Sequence, residues 1–259
     1  MLLSTNRHQQ ILDFVLDNRQ ATVAQLSQLV DVSETTIRRD LDKLQSMGQV
    51  RRVHGGAIAL KLADPEPPAL QRMDENAEAK KGIGMAAASL IQNGETVFLG
   101  SGTTTLQVAS SLPDDGSLTV VTNSLTILNA LAGRPNVTLI VLGGLFRYSE
   151  LSMIGHITER AMEELRADKV IMGIRALNSR DGLTNDSLSE AMTDRAIVNL
   201  GRQVIVVADH TKFGRVSTVL VAPISAVDVI VTDSQAPADE LQTIRSAGVE
   251  VIIADQSPL

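Results

Sequence analysis

The sequence contains few of the residues on which several common functions depend. Its 259 residues include no cysteine and no tryptophan, with four phenylalanines and one tyrosine. Without cysteine the chain forms no disulfide and performs no thiol chemistry. Five aromatic rings provide no stacking platform for single-stranded nucleic acid. The four histidines, His8, His54, His156 and His210, do not cluster with carboxylates at metal-ligand spacing, so we expect neither a metal site nor a cofactor.

The chain also lacks long apolar runs, and its charge is unevenly distributed. No apolar stretch is long enough to cross a bilayer, and Met1–Gln10 turns polar at Ser4, unlike a signal peptide. We therefore expect a cytoplasmic protein without a membrane partner. The net charge is −7, yet residues 1–60 hold seven lysines and arginines against six aspartates and glutamates, a net charge of +1. The length is sufficient for two domains.

A helix-turn-helix pattern occupies Ala21–Val50. Apolar residues in Val23–Val30 have helical spacing, and the dipeptide Asp31-Val32 has room only for a tight turn. Ser33 then provides a good N-cap for a second helix. The pattern predicts two short helices that cross at a steep angle.

The second of these helices has an outward face suited to a DNA major groove. Ile37, Leu41 and Leu44 recur at i, i+4 and i+7 and face inward, which turns polar residues outward. An arginine fork can bond guanine or phosphate, and threonine can contact phosphate or a thymine methyl group. The alternative is a solvated helix face, because paired arginines are common on helices. The predicted DNA contacts on this helix are Ser33, Thr35, Thr36, Arg38, Arg39 and Lys43.

The next segment, Val50–Ala59, predicts two short strands around a glycine turn, which together form a wing. A helix over about Asn6–Asn18, with Ile11, Phe14 and Val15 inward, completes a winged helix. The predicted DNA contacts of the wing are Arg51, Arg52, His54, Gly55 and Gly56. Because one copy with a net charge of +1 binds phosphate weakly, we expect self-association into a dimer or tetramer on double-stranded operator DNA.

Residues 61–74 are predicted to link this domain, residues 1–60, to a second domain over residues 75–259. Three of the eight prolines lie in Lys61–Pro68, where neither a helix nor a central strand continues. Beyond it, a predicted helix over Ala77–Ile91 is followed by short apolar runs that alternate with helical segments. This alternation predicts an α/β fold with a mostly parallel, doubly wound sheet. The runs are Thr96–Leu99, Leu118–Thr122, Val137–Leu142, Lys169–Gly173, Gln203–Ala208, Thr218–Val221, Val229–Thr232 and Glu250–Ile253.

Ligands of such sheets bind beyond the carboxyl ends of the strands, where this chain is polar and rich in small residues. Gly100, Ser101, Gly102, Thr103 and Thr104 follow the first run and open a helix. Glycines allow close backbone approach, and helix-start N–H groups bind anions, so the loop predicts a phosphate cradle. An ordinary strand-to-helix turn is the alternative. The spacing of a nucleoside triphosphate P-loop is absent.

The residues after other strands support the phosphate cradle over the ordinary turn. They offer an amide, cations and carboxylates, which suit a phosphorylated polyol. Taken alone, each of these residues could instead be a helix cap, a turn residue or a solvated charge with no part in ligand binding. The further predicted effector contacts are Asn123, Ser124, Gly143, Gly144, Arg147, Arg175, Glu190, Asp209 and Lys212.

Four motifs occur in order along the chain: Ser33-x-x-Thr36-Ile37-Arg38-Arg39-Asp40-Leu41, Arg52-x-His54-Gly55-Gly56-Ala57, Gly100-Ser101-Gly102-Thr103-Thr104 and Asp209-His210-Thr211-Lys212-Phe213-Gly214. Over nearly its whole length the chain resembles the DeoR family of bacterial transcriptional regulators. The resemblance implies a winged helix that binds operator DNA. It also implies a sensor domain similar to ribose-5-phosphate isomerase and glucosamine-6-phosphate deaminase, which responds to a phosphorylated sugar. Glu190 and Lys212 would then match positions that are catalytic in the isomerases.

One departure from the isomerases concerns chemistry. Where they carry an Asp-Gly-Ala-Asp-type element, this chain has Met172–Leu177 without a carboxylate. Proton abstraction beside a carbonyl needs a positioned base. Two functions of different class remain open: a repressor of a carbohydrate-utilisation operon that a phosphorylated sugar releases from its operator, and a sugar-phosphate isomerase-like enzyme with an attached DNA-binding domain. The missing carboxylate favours the repressor.

Overall fold

The computed structural model of the protein describes residues 2–18, 20–46, 50–53, 55–59 and 66–254. The chain divides into two compact units, Met1–Leu62 and Ala63–Leu259. Among the described residues, one cluster of buried apolar side chains belongs to the first unit and two belong to the second. No helix in these ranges is long and apolar enough to cross a membrane.

The first unit is a winged helix. Its elements are α1 (Leu2–Asn18), β1 (Gln20–Thr22), α2 (Val23–Val30), α3 (Glu34–Ser46), β2 (Val50–Val53) and β3 (Gly56–Ala59). The strands pair antiparallel in the order β1-β3-β2. The predicted inward residues of α3, Ile37, Leu41 and Leu44, are fully buried, which confirms the helical spacing. Strand β1 was not predicted, and α1 begins four residues before the predicted Asn6.

Polar caps define the helix ends of this unit. Thr22 and Gln25 form a reciprocal capping box at the start of α2, and Asp31 ends that helix in a left-handed conformation. The predicted cap of α3 is confirmed, because Ser33 Oγ accepts a hydrogen bond of 3.3 Å from the Thr36 amide. The turn between α2 and α3 is therefore specified locally by sequence.

A buried carboxylate fastens α1 to α3. Asp40 accepts a hydrogen bond of 2.7 Å from Arg7 Nε, and its Oδ1 lies 2.8 Å from His8 Nε2. Burial alone would raise the pKa of Asp40, but the hydrogen bonds from Arg7 and His8 outweigh burial and hold that pKa below its usual value. Asp40 therefore stabilises the unit above the carboxyl pKa of the unfolded chain, and this contribution is lost as pH falls through the folded pKa.

Replacing Asp40 with Ala is expected to lower the free energy of unfolding of this unit by about 2–3 kcal/mol at neutral pH. The change leaves the Arg7 guanidinium without its carboxylate partner. Hydrogen exchange of the α1 and α3 amides, followed by mass spectrometry on the full chain, measures the effect. Asp42, whose ion pair with Arg52 is exposed, provides the control, and Asp42→Ala should cost less than about 1 kcal/mol. Equal effects of the two substitutions would contradict the role of Asp40.

The second unit alternates strands and helices. Its elements are α4 (Ala77–Ala88), β4 (Thr96–Leu99), α5 (Thr103–Ser110), β5 (Leu118–Thr122), α6 (Leu125–Leu131), β6 (Val137–Val141), β7 (Leu145–Arg147), β8 (Ser152–Ile154), α7 (His156–Glu163), β9 (Ala167–Met172), β10 (Ala176–Asn178), β11 (Gly182–Asn185), α8 (Leu188–Val198), β12 (Gly201–Val207), β13 (Val219–Ala222), β14 (Val229–Asp233), α9 (Ala238–Ser246) and β15 (Glu250–Ala254). Single 3₁₀ turns lie at His210–Lys212 and Ile224–Ala226.

Seven strands of this unit form one parallel sheet in the order β15-β14-β12-β9-β4-β5-β6. Alternate residues of the central strands face opposite cores. Phe98 belongs to the core beneath α7, α8 and α9, whereas Val97 and Leu99 belong to the core beneath α4, α5 and α6. Helices therefore cover both faces of the sheet, which confirms the predicted doubly wound architecture.

One predicted sheet strand lies elsewhere. The run Thr218–Val221 was expected in the parallel sheet, but β13 pairs antiparallel with β11 in a separate sheet of order β10-β11-β13. That expectation was wrong, because a four-residue apolar run indicates a strand but not its partner. Leu220 of β13 is exposed, whereas Val221 and Ala222 are buried. Helix α4 also ends at Ala88, three residues before the predicted Ile91.

Residues 66–74, predicted as part of the linker, pack onto the second unit. The Ala69 amide donates a hydrogen bond of 2.7 Å to the Ser149 carbonyl, and Ala69 is buried. Arg72 is also buried. Residues 61–65 of the predicted linker lie outside the described residues. This packing brings charged side chains of the segment to the carboxyl edge of the sheet.

Candidate functional site

Helix α3 presents the polar face that the sequence predicts. Thr35, Arg38, Arg39 and Lys43 are exposed. Arg38 forms an exposed ion pair of 3.2 Å with Glu34, one turn earlier. Ser33 and Thr36 bond each other within the helix cap, at 3.0 Å between their hydroxyl oxygens. A helix that reads a major groove needs such an exposed polar face.

The wing is tied to the end of that helix. Arg52 on β2 pairs with Asp42 of α3 at 2.5 Å, and its amide donates to Gln45 Oε1 at 2.8 Å. Gly55 has a φ of +86°, so it suits the turn between β2 and β3. A Cβ on Gly56 would lie 2.2 Å from the Ala21 carbonyl oxygen, so β1 passes too close for a side chain. Arg51 lies on β2, and His54 lies outside the described residues.

A polar cavity of about 120 Å³ opens at the carboxyl ends of β4, β9 and β12. The chain proceeds from β4 to one edge of the sheet and from β9 to the other, so the neighbouring strands β4 and β9 form a topological switch point. Ligands of open α/β sheets bind at such a point. Ten of the predicted effector residues line this cavity: Gly100, Ser101, Gly102, Thr103, Thr104, Arg147, Arg175, Glu190, Asp209 and Lys212.

The loop after β4 leaves a helix start open to the cavity. Gly102 has a φ of +134°, a conformation that favours glycine. Helix α5 begins at Thr103, and its N-cap residue Gly102 has no side chain with which to bond the first amides of the helix. Thr103 and Thr104 line the cavity although both are largely buried. The loop thus combines uncapped backbone N–H groups with hydroxyl groups, as anion sites at helix starts do.

Four predicted effector residues do not line this cavity and have structural contacts instead. Asn123 donates from Nδ2 to the Met153 carbonyl at 2.9 Å, and Ser124 caps α6. The Gly143 carbonyl accepts a hydrogen bond of 2.9 Å from the Thr158 hydroxyl. A Cβ on Gly144 would lie 2.0 Å from that hydroxyl oxygen, so α7 requires glycine there. Together these contacts fasten β5 and α7 to the β7–β8 ribbon.

One side of the cavity concentrates buried cations around a carboxylate. Arg72 NH1 lies 2.9 Å and Arg175 NH1 lies 3.0 Å from Glu66 Oε2. Lys212 Nζ contacts Glu66 Oε1 in a further ion pair. Burial lowers the pKa of Lys212 to about 8; the nearby Asp209 opposes that shift, and neighbouring arginines reinforce it.

A second group of charged side chains in the cavity joins β7 to α8. Arg147 forms an ion pair with Glu190 and donates from Nε to Ser149 Oγ at 3.0 Å. Asp194, one turn after Glu190, accepts a hydrogen bond of 2.8 Å from Asn185. Burial raises the pKa of Asp194 to about 7, although Asn185 and Arg147 oppose the shift. The cavity therefore holds a carboxyl group that titrates near neutral pH.

Several cavity residues were not identified from the sequence. Glu66 and Arg72 fell within the predicted linker, and Asp194 gave no signal because it lies inside a regular helix. Lys80 could have been identified from the sequence, because a lysine interrupts the small apolar residues of α4. It is buried, donates to the Arg72 carbonyl at 2.6 Å, and has its pKa lowered by burial.

The cavity does not lack carboxylates, although Met172–Leu177 does. Seven acidic side chains line it: Glu66, Glu75, Glu150, Asp186, Glu190, Asp194 and Asp209. The sequence argument against catalysis, which depended on the missing carboxylate, is therefore weaker than expected. Similarity to known proteins distinguishes the two functions more clearly.

Two protein families match the two units. The DeoR-like helix-turn-helix domain matches residues 7–62, and the DeoR C terminal sensor domain matches residues 75–234. The ribose 5-phosphate isomerase A of Methanocaldococcus jannaschii is 14% identical, over 54% of this chain and 55% of that chain, with a TM-score of 0.41. A TM-score this low supports no inference about chemistry.

Full-length relatives are transcriptional regulators. The glycerol-3-phosphate regulon repressor of Escherichia coli K12 is 34% identical over 95% of this chain and 98% of its own length. The regulator GlpR of Haloferax volcanii is 34% identical over 97% and 98%, and the regulator GolR of Listeria innocua is 30% identical over 96% and 98%. The protein is therefore a DNA-binding transcriptional regulator rather than an enzyme, and it belongs to the DeoR family.

Proposed function

We propose that the protein represses a carbohydrate-utilisation operon and leaves its operator when a phosphorylated sugar binds the cavity of the second unit. The observation that carries this proposal is the switch point between β4 and β9, where an uncapped helix start and buried cations meet in one polar cavity. This arrangement suits a ligand that has both a dianionic group and hydroxyl groups. A relative named for the glycerol-3-phosphate regulon is consistent with such a ligand.

In this proposal the backbone N–H groups of Ser101–Thr104 hold the phosphate, because the Gly100 N–H already donates to the Ile171 carbonyl at 2.9 Å. Lys212 supplies the counter-charge. Ammonium and amide donors bond charged oxygens strongly because the acceptor is ionised. The carboxylates of Asp209 and Glu190 accept hydrogen bonds from the sugar hydroxyls. The phosphate therefore supplies affinity, and the hydroxyl contacts distinguish one sugar from another.

We place operator binding in the cytoplasm. In this proposal tight operator binding requires more than one copy of the chain. In this proposal the predicted contacts of one copy bind one half-site; they include Arg38, Arg39, Lys43, Arg51, Arg52 and His54. Residues 1–60 carry a net charge of only +1, so two winged helices on paired half-sites bind far better than one. A dimer or tetramer held by the second unit meets this requirement. A ligand that changes the contacts of that unit can then change the half-site spacing.

Calorimetry with matched ligands tests the cavity. A sugar phosphate found by thermal-shift screening is expected to bind at least about 100-fold more tightly than the same sugar without phosphate, because two or more charged hydrogen bonds are lost. The comparison keeps every hydroxyl group constant. Equal affinities for the two ligands would show that the loop Gly100–Thr104 is an ordinary strand-to-helix turn.

A further inference from the structure

The carboxylate of Glu66 lies at the centre of the buried cations in the cavity. It is shared by Arg72, Arg175 and Lys212, which come from three separate parts of the second unit. Arg72 precedes α4, Arg175 follows β9, and Lys212 follows β12. The three cationic side chains are at most 16% exposed. One carboxylate thus bridges three largely desolvated cations.

The neighbouring acidic groups do not replace this carboxylate. Arg72 also contacts Glu150 at 2.5 Å, and Arg175 also contacts Asp186 at 3.3 Å. Lys212 has Asp209 as an electrostatic neighbour, but it forms its ion pair with Glu66. If Glu66 left, Arg72 and Arg175 would each keep one carboxylate, but the largely buried Lys212 would lose its ion pair, which is costly. Displacement of Glu66 is therefore favoured when another anion takes its place.

We propose that Arg72, Arg175 and Lys212 form an anion subsite that Glu66 occupies as an internal competitor, and that the phosphate of the effector displaces Glu66 from it. The inference rests on the proposed function, because it concerns the same cavity. A phosphate dianion has more charge than a carboxylate and three oxygens for three cations. Neutral sugars cannot displace Glu66, so the subsite selects phosphorylated ligands.

The position of Glu66 in the chain connects this exchange to the DNA-binding unit. Glu66 lies four residues after Leu62, where the first unit ends, and three residues before Ala69, which is bonded to Ser149. Displacement of its carboxylate loosens the start of the 66–74 segment as far as the Ala69 hydrogen bond, while Arg72 stays held by its ion pair with Glu150. Glu66 is the first described residue of the second unit, so its displacement acts close to the covalent connection between the two units.

Titration of the full chain with inorganic phosphate tests the competition. Glu66→Gln removes the competing charge and is expected to bind phosphate at least about 10-fold more tightly than the unmodified chain, because one charged contact no longer has to be broken. Glu75→Gln is the matched control. Glu75 lines the same cavity, yet it is exposed, so its substitution should change phosphate affinity by less than about a factor of three.

Hydrogen exchange of the Ala69 amide gives a second readout. Phosphate should speed exchange in the unmodified chain, whereas Glu66→Gln should exchange rapidly before phosphate is added. Equal phosphate affinities of the unmodified chain and Glu66→Gln, with binding lost in Lys212→Ala, would overturn the competition and leave the proposed site intact. If phosphate binds neither the unmodified chain nor Glu66→Gln, the proposed site and the competition are both overturned.

Discussion

Arg39→Ala is expected to weaken operator binding by about 1–3 kcal/mol and to relax specificity at one base position of each half-site. Arg39 is exposed on α3, on the face turned away from buried Ile37 and Leu41. Its guanidinium can contact guanine O6 and N7 together, so its loss affects one base pair more than the others. In a dimer the loss occurs twice. Binding to operators with single base changes, measured at physiological salt, gives the pattern of lost specificity.

Lys43→Ala is the matched substitution on the same face of α3. A lysine that contacts phosphate contributes charge without base preference, so this variant should bind every DNA sequence more weakly by a similar factor. Its salt dependence should also become shallower. If Arg38→Ala and Arg39→Ala each leave operator affinity unchanged, α3 is not the helix that reads DNA.

Lys212→Ala is expected to lower effector affinity by about 1.5–3 kcal/mol, roughly a 10- to 150-fold change. The ammonium group is the counter-charge of the phosphate and donates charged hydrogen bonds. Since the pKa of Lys212 is about 8, effector affinity should also fall as pH rises past that value and the ammonium loses its proton. The bound phosphate favours the ammonium form, so in the complex Lys212 loses its proton at a higher pH than in the free protein.

Lys81→Ala is the control for this prediction, because Lys81 is exposed on α4 and is not among the residues that line the cavity. Calorimetry of both variants from pH 6 to pH 10 compares them directly. Lys81→Ala should match the unmodified chain throughout. An unchanged effector affinity in Lys212→Ala would exclude Lys212 from contact with the ligand.

The sequence predicted the elements whose patterns are local. The buried spacing of Ile37, Leu41 and Leu44 and the cap at Ser33 follow from side-chain periodicity and from one hydroxyl. Seven apolar runs became strands of one parallel sheet for the same reason. The partner of β13 could not be predicted, because pairing depends on distant residues that a four-residue run does not specify.

The cavity residues that follow strand ends could be predicted from the sequence. The cavity residues of the segment before α4 could not. Gly100–Thr104, Arg175 and Lys212 lie within five residues after the ends of β4, β9 and β12, so the topology of the sheet brings them together. Glu66 and Arg72 lie in a proline-bearing segment with no periodic pattern, and only packing against Ser149 brings them to the cavity. Asn123 also follows a strand end, but it does not line the cavity. It bonds the neighbouring β7–β8 ribbon instead, as a polar residue at a strand end can do.

The most direct test of ligand-controlled repression is an operator titration of the full chain with and without the effector found by screening. The effector is expected to lower operator affinity by about 1–3 kcal/mol, and operator DNA should lower effector affinity by the same factor, because coupling between two sites is reciprocal. Lys212→Ala should need more effector for the same response. Operator binding that does not change at effector concentrations shown to saturate the cavity would contradict the account.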